Sequence, residues 1–443
     1  MYIVKIEITI QQIPTKDYPN RNRLLKLPYQ VSFNGESTWQ TLTDTFTITI
    51  PKKTYLKDAK DGTIVRLYNQ DGLNSNLGGY VGQIIPQQPP AILRGDVVTI
   101  NAGYDVYLNG KNGEKVTYIT GQHDPTDSAL VTLLPPLFEG YVSNVDPHMP
   151  FTITCENAMW LMKQVPTPNS QTRWTNKNIQ EIVQEILNES LSLPNISKYN
   201  KRFTVSQYSL TNLIFNVGNF MTRGESLAMV LARVKRQYKL DSWFRGNELR
   251  IGLQHYIPDD YKQHTFTFQK NVKQDKLYYQ RKDDINLSAV VRSHYALETG
   301  KTTKDGQKVS KAESTEILIY RDPQTYEFVY ETKEKGKSYF KNMQDDVSGK
   351  RLDFEIFDLI RDPEQLFQIG LARLKRYYYD GLRGTFTTFG IPYVKHGDGV
   401  KLVDNVLPER NGIYMVKTVK YSFSIENGLE QEIELDYRTD ASQ

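Results

Sequence analysis

Cysteine is nearly absent from this 443-residue chain: the single copy, Cys155, excludes an intrachain disulfide framework and any zinc site built from several thiolates. It reads as a small hydrophobe packed in a strand. Histidine is also scarce. None of His123, His148, His255, His264, His294 and His396 has metal-ligand spacing with a second His or with the cysteine, so no metal and no cofactor is expected. No run approaches the eighteen or so apolar residues that cross a bilayer, which argues against stable membrane insertion. The N-terminal stretch from Met1 to Ile10 alternates through Lys5 and Glu7, lacks a signal peptide's apolar block and reads as a first strand. The expectation is a protein made in a cytoplasm and kept there unless an assembled machine carries it elsewhere. A charge excess is missing too: 55 basic and 51 acidic residues leave a formal net charge of +4, which gives no support to a dedicated nucleic-acid binder.

Signatures of catalysis are missing as well. There is no Gly-x-Ser-x-Gly elbow and no glycine-rich dinucleotide fingerprint. Gly300-Lys301-Thr302 ends like a phosphate-binding loop, but that motif needs glycine where the chain has Tyr295. The acidic pairs Asp283-Asp284 and Asp345-Asp346 are sequence neighbours, which a strand sends to opposite faces. His123-Asp124-Pro125-Thr126-Asp127 is a polar loop built from ordinary turn residues. The chain is therefore not expected to be an enzyme.

What is present favours β-structure. Hydrophobic residues make up 39% and charged residues 24%, enough to bury cores, and the length implies roughly three or four domains. The 29 Tyr and 18 Phe suit the half-buried face of a sheet. Period-two runs such as Thr45 to Ile50, stopped by Pro51, continue to about residue 155. They define a first β module over 1–165, with residues 104–136 as an inserted hairpin or arm marked by the turn signals Asn109-Gly110 and Asn112-Gly113. Helical spacing then appears in Asn178 to Leu191, with Thr175 and Asn176 as suitable caps, and after Thr222-Arg223-Gly224-Glu225, where Leu227, Val230, Leu231, Val234 and Tyr238 share a face. With the hairpin near Gly246, these helices make a small α+β domain over 166–258. A β segment over 259–361 carries a charged insertion at about 299–350 and contributes to a second module. That module, 362–443, opens with a helix after Pro363 whose face is Phe367, Leu371, Leu374 and Tyr378, ending near Asp380-Gly381.

Two stretches resemble each other across some three hundred residues. Gly397-Asp398-Gly399-Val400-Lys401-Leu402 is followed by Gly412-Ile413-Tyr414-Met415-Val416. Earlier, Gly95-Asp96-Val97-Val98-Thr99-Ile100 is followed by Phe138-Glu139-Gly140-Tyr141-Val142. A Gly-Asp pair supports a tight turn into a strand, because Gly reaches φ > 0 without steric cost and Asp bonds nearby N–H groups. Gly95, Asp96, Gly140, Gly397, Asp398 and Gly412 are thus the candidate site residues, as shape-setting turns of two related β modules; the other reading is chance likeness between two hairpins. Two helices also echo each other, with Arg233-Lys235-Arg236 and Arg373-Lys375-Arg376 on basic faces. These are either the wet sides of amphipathic helices or surfaces for a polyanion or an acidic neighbour.

The run from Asp362-Pro363-Glu364-Gln365-Leu366 through Gly384-Thr385-Phe386-Thr387-Thr388-Phe389-Gly390-Ile391-Pro392 to His396-Gly397-Asp398-Gly399-Val400 resembles the C-terminal module of bacteriophage tail baseplate hub proteins, relatives of the hub part of contractile injection systems and type VI secretion spikes. Phe46-Thr47-Ile48-Thr49-Ile50-Pro51, Phe138 to Val142, and Gly224-Glu225-Ser226-Leu227 through Tyr238 to Leu249-Arg250-Ile251-Gly252 follow in the family's order. The resemblance implies a β-rich multidomain α+β protein whose two β-barrel modules form a tube-like ring in a homotrimer. Such a hub adapts a six-fold tail tube to a three-fold spike and forms a conduit for genome or effector delivery. Its partners would be a tail tube or distal tail protein, a tape-measure protein and a separate spike, since no β-helical needle follows in the sequence. DNA would pass transiently, and the protein would reside in the virion tail after assembly in the host cytoplasm. Two readings from other classes stand beside it: a glycan-binding or glycan-processing β-rich protein, and a single-stranded nucleic-acid binder with Arg and Tyr as stacking platforms.

Overall fold

A computed structural model of the chain describes all residues except 1, 29–30, 52–53, 67–89, 108–114, 123–133, 147–149, 168–172, 191–192, 209–215, 239, 253–260, 283–286, 303–307, 323, 334–349, 357–361 and 441–443. The turn signals Asn109-Gly110 and Asn112-Gly113, the loop His123 to Asp127, the pairs Asp283-Asp284 and Asp345-Asp346, and much of the charged insertion lie outside the described residues.

The first module contributes β1 (Tyr2–Gln11), β2 (Leu24–Lys26), β3 (Ser32–Thr38), β4 (Thr45–Ile50), β5 (Tyr55–Asp58), β6 (Ile64–Arg66), β7 (Val97–Tyr107), β8 (Lys115–Ile119), β9 (Phe138–Asp146) and β10 (Phe151–Glu156). The alternation seen in the sequence becomes two faces. Phe46, Ile48 and Ile50 of β4 are buried and stand opposite Cys155, Ile153 and Phe151 of β10, while Thr47 and Thr49 pair with Thr154 and Thr152 on the other side. The arm begins later than residue 104: Tyr104 is buried, pairs with Val4 and Tyr118, and donates its hydroxyl to the Leu429 carbonyl at 2.8 Å.

The α+β unit holds α1 (Met159–Met162), β11 (Arg173–Asn178), α2 (Ile179–Ser190), α3 (Pro194–Ser197), β12 (Thr204–Tyr208), β13 (Asn216–Met221), α4 (Leu227–Tyr238), β14 (Asp241–Arg245) and β15 (Glu248–Gly252). Leu227, Val230, Leu231, Val234 and Tyr238 of α4 are buried against Ile182, Val183, Ile186 and Leu187 in one core. The capping assignment differs from expectation. Thr175 and Asn176 lie inside β11, paired with β13, and the Asn178 side chain accepts the Gln180 N–H at 3.0 Å.

The rest of the chain gives β16 (Gln263–Thr267), β17 (Val272–Gln280), β18 (Leu287–Thr302), β19 (Lys308–Arg321), β20 (Phe328–Thr332), β21 (Lys350–Ile356), α5 (Pro363–Lys375), β22 (Gly381–Phe389), β23 (Gly399–Val403), β24 (Gly412–Ser424) and β25 (Gly428–Arg438). Strands β18 to β21 form their own four-stranded sheet, and α5 packs on it. The buried face of α5 is Leu366, Ile369 and Leu374, with Phe367 only half-buried, and the helix stops at Lys375, short of Asp380-Gly381. Gly370 lets the helix approach, since a Cβ there would fall 2.3 Å from the Ile319 side chain.

Both β modules share one sheet. Its path runs β17-β22-β25-β24-β3-β4-β10-β9-β7-β1-β2-β5-β6, with β8, β16 and β23 paired at its flanks. One apolar cluster spans it, from Ile8 and Phe33 to Phe386 and Ile433. Two separate barrels are expected from the sequence; the described residues instead form this single open sheet, with no closed barrel among them. The reason is that β3 pairs with β24 from Thr38↔Thr418 to Phe33↔Phe423, so each module's edge is satisfied by the other.

Candidate functional surface

The two Gly-Asp turns are built alike, bond for bond. In the first, Gly95 N–H donates to the Val142 carbonyl (2.8 Å), Val142 N–H to the Asp96 carbonyl (2.9 Å), Asp96 N–H to the Leu93 carbonyl (3.1 Å) and Leu93 N–H to Asp96 Oδ2 (2.7 Å). In the second, Gly397, Val416, Asp398 and Lys395 repeat the set at 2.8, 2.9, 3.1 and 2.8 Å. Gly95 and Gly397 have φ of 92° and 76°, a region that admits glycine without the Cβ clash other residues suffer. Each aspartate is held by an arginine that sequence reading missed. Arg21 binds Asp96 through both terminal nitrogens (3.0 and 2.6 Å) with neither side chain exposed, and Arg245 of β14 reaches Asp398 at 2.8 Å. Breaking a buried pair of the Arg21 kind costs about 3–5 kcal/mol. His264 Nε2 lies 3.4 Å from Asp398 Oδ2. Asp398 is lowered to about 2: burial would raise it, but the Arg245 charge, the nearby His264 imidazole and the Lys395 N–H outweigh that. No local pattern marks Arg245, which comes from 153 residues away.

The second glycines, Gly140 and Gly412, do not occupy equivalent places. Val98 stands opposite Gly140 and Ile100 opposite Phe138, whereas the matching Val400 and Leu402 stand opposite Tyr414 and Gly412. The aromatic and the glycine are exchanged. In both modules the ring lies over the glycine two residues away: a Cβ on Gly140 would meet Phe138 at 2.4 Å, and one on Gly412 would meet Tyr414 at 2.8 Å. The match continues into the strands, where Ser143 and Lys417 each form a one-residue bulge, Cys155 faces Val142, and Leu435 faces Val416.

At the seam between modules sits a polar cluster beside a cavity of about 100 Å³ lined by residues that include Ser37, Asp44, Phe244, Lys395 and His396. Ser37 Oγ is 2.8 Å from His396 Nδ1 and 3.1 Å from Asp44 Oδ2. The three residue types match a hydrolytic triad, but the order does not: serine stands between the other two, so the carboxylate cannot orient the imidazole. Burial, with the Arg245 charge adding to it, drops His396 to about 3, and burial raises Asp44 to about 6. The cluster fastens β3 and β4 to the second turn.

The face of the sheet away from the main core is threonine-rich and carries paired charge. A groove of about 440 Å³ runs along it, lined by Asn34, Glu36, Thr45, Thr47, Thr387 and Lys420 among others. Three consecutive outward glutamates of β25 each have a lysine: Glu430 with Lys273, Glu432 with Lys420 (3.4 Å) and Glu434 with Lys417 (2.5 Å). The basic helices face elsewhere. Arg233 pairs with Glu225 at 3.1 Å and Lys235 with Asp241 at 2.9 Å. Arg376 pairs with Asp436 and lies 4.5 Å over the Trp39 ring. Trp160, Trp174 and Trp243 are buried, and the Arg376 guanidinium lies over the half-buried Trp39 ring.

No family model and no curated protein matches the sequence. Solved structures do. The chain matches phage tail proteins in structure over nearly its full length. A tail protein from Neisseria meningitidis MC58 is 9% identical with a TM-score of 0.49, covering 98% of this chain and 97% of its own. A 43 kDa prophage tail protein from Shewanella oneidensis is 11% identical with a TM-score of 0.49, covering 97% and 98%. An E. coli component of the type VI secretion system, described as similar to T4 tail proteins gp27 and gp5, is 10% identical with a TM-score of 0.42, covering 94% and 77%.

Proposed function

We propose that the chain is a structural tail or baseplate hub: a homotrimer that adapts a six-fold tail tube to a three-fold spike and forms a conduit for genome or effector delivery. The observation that carries this reading is the duplicated module, with the same Gly-Asp turn and a shared one-residue bulge at Ser143 and Lys417, stitched into one sheet by β3 and β24. Two like modules per chain give six like modules in a ring of three, the arithmetic a six-to-three adaptor needs. The order of motifs that resembles baseplate hubs supports the same reading. The work is assembly and passage, with no bond chemistry, and the serine, histidine and aspartate at the seam serve as a fastening. A tail tube or distal tail protein, a separate spike and a tape-measure protein are the partners, in the virion tail. Mass measurement and particle imaging of the full chain test it: a ring-shaped trimer is expected, and a stable dimer or tetramer with no trimer in any assembly would overturn it.

A further inference from the structure

The internal seam leaves a matching pair of strand edges, one on each side of the molecule. At the seam, the second half of β24 takes β3 along the edge not used by β25, and β3 is backed by β4. In the duplicate, β9 corresponds to β24 and is paired by β10 along the same side, while residues 143–145 of its other edge take no strand among the described residues. Correspondingly, β17 is the counterpart of β3: it is backed by β22 as β3 is by β4, and among the described residues it ends the sheet with no second neighbour. Its Tyr278 and Tyr279 are 61% and 48% exposed, high for aromatics on a strand. An edge of this kind is a standing invitation to pair.

We infer that β17 of one copy pairs antiparallel with β9 of the next, in a register fixed by the internal seam. The register follows from the bulges. Val142 matches Val416, the bulged Ser143 matches Lys417, and Asn144 and Val145 match Thr418 and Val419. Cys155 matches Leu435, so Phe46 opposite Cys155 falls on the place of Gly384, next to Thr385 opposite Glu434. Gly35 opposite Phe46 then matches Leu277 opposite Gly384, and Ser37 and Thr38 match Tyr279 and Gln280. The seam pairs Thr38↔Thr418 and Ser37↔Val419 therefore become Gln280↔Asn144 and Tyr279↔Val145 between copies.

The side chains suit these places. Thr38 and Thr418 hydroxyls are 3.0 Å apart at the seam, and Asn144 with Gln280 puts two amides there: Gln280 Nε2 donates to the Tyr377 carbonyl at 2.8 Å, which leaves its Oε1 to accept from the Asn144 amide. Ser37 meets His396, the residue before Gly397, at 2.8 Å. Its counterpart Tyr279 would meet the residue before Gly95, the exposed Arg94, where a guanidinium over a tyrosine ring is favourable. A head-to-tail contact of this type closes into a ring when the rotation allows it.

This pairing rests on the trimeric hub reading, and the two fail differently. Directly opposed residues of an antiparallel pair have Cα atoms about 4.5–5.5 Å apart, within the span a disulfide bridges. The full chain carrying Asn144→Cys with Gln280→Cys, or Val145→Cys with Tyr279→Cys, is oxidised and run without reductant; Cys155 is fully buried and does not compete. Covalent oligomers up to the trimer are expected from both pairs. None is expected from the four single variants, or from Val145→Cys with Leu277→Cys, which is shifted by two residues. A trimer by light scattering with no cross-link at either pair would overturn the pairing and leave the ring. Cross-linking of the shifted pair alone would overturn the register. A monomer at the highest attainable concentration with no cross-link would overturn both.

Discussion

His396 and Asp44 sit on either side of Ser37 and titrate in opposite senses, because burial penalises whichever form is charged. The imidazole falls from its ordinary 6.5 to about 3, so its contribution to stability is complete above pH 6.5 and is lost as the pH falls toward 3. The carboxyl rises from 3.8 to about 6, so its contribution is present below pH 3.8 and is lost as the pH rises through 6. Between those limits the two trends oppose each other. Asp44→Asn keeps an acceptor for the Thr38 N–H but removes one titration, leaving the histidine unbalanced. The melting temperature of the variant should fall more steeply than the parent's between pH 6 and pH 4, by calorimetry across that range; parallel curves would refute the coupling. Nothing in the sequence shows this cluster, because its members lie in segments more than 350 residues apart and only the fold brings Ser37 to His396.

Among the elements, the two turns give a paired test. Both glycines need positive φ, so alanine at either costs roughly 1–2 kcal/mol in backbone strain. The surroundings differ: a Cβ on Gly397 meets nothing nearer than an Arg245 nitrogen at 3.7 Å, whereas one on Gly95 meets the Tyr199 hydroxyl at 2.8 Å and the Trp160 ring at 3.2 Å. Gly95→Ala should therefore be the more destabilising of the two in urea titration, and equal losses would show that the strain alone decides. These turns were legible because a Gly-Asp pair before an alternating run has a single backbone explanation. The helix ends were not. Thr175 and Asn176 are good caps by residue type, yet β13 offers their backbone a strand partner, and pairing along Arg173 to Asn178 defers the helix to Ile179. On α5, helical spacing alone allowed several faces, and the position of the β18–β19 sheet picked Leu366 and Ile369 over Phe367.

For the whole molecule, charge placement sets the expected behaviour toward DNA. If the proposed conduit is lined by the threonine and glutamate face, where Lys273, Lys417 and Lys420 are already engaged, it would neutralise few phosphates. Duplex DNA should bind no better than about micromolar at physiological salt, with a shallow salt slope in fluorescence anisotropy; tight binding with a steep slope would favour the nucleic-acid reading. Arg233→Glu with Arg376→Glu should lower stability and leave that weak affinity nearly unchanged, since these arginines are spent on Glu225, Asp436 and Trp39. The near-balanced composition foretold the weak field but not its distribution, which depends on which strand faces which. The seam itself has a consequence in time. Thr38 finds its partner 380 residues later, so on a ribosome adding 5–20 residues per second the β3 edge stays open for roughly 20 to 80 s. Throughout that interval the nascent chain carries an unsatisfied strand, and on a polysome neighbouring copies carry it too. Translation speed thus sets how long a wrong pairing between nascent chains competes with the right one, and slow codons before β3 would cost less than slow codons between β3 and β24.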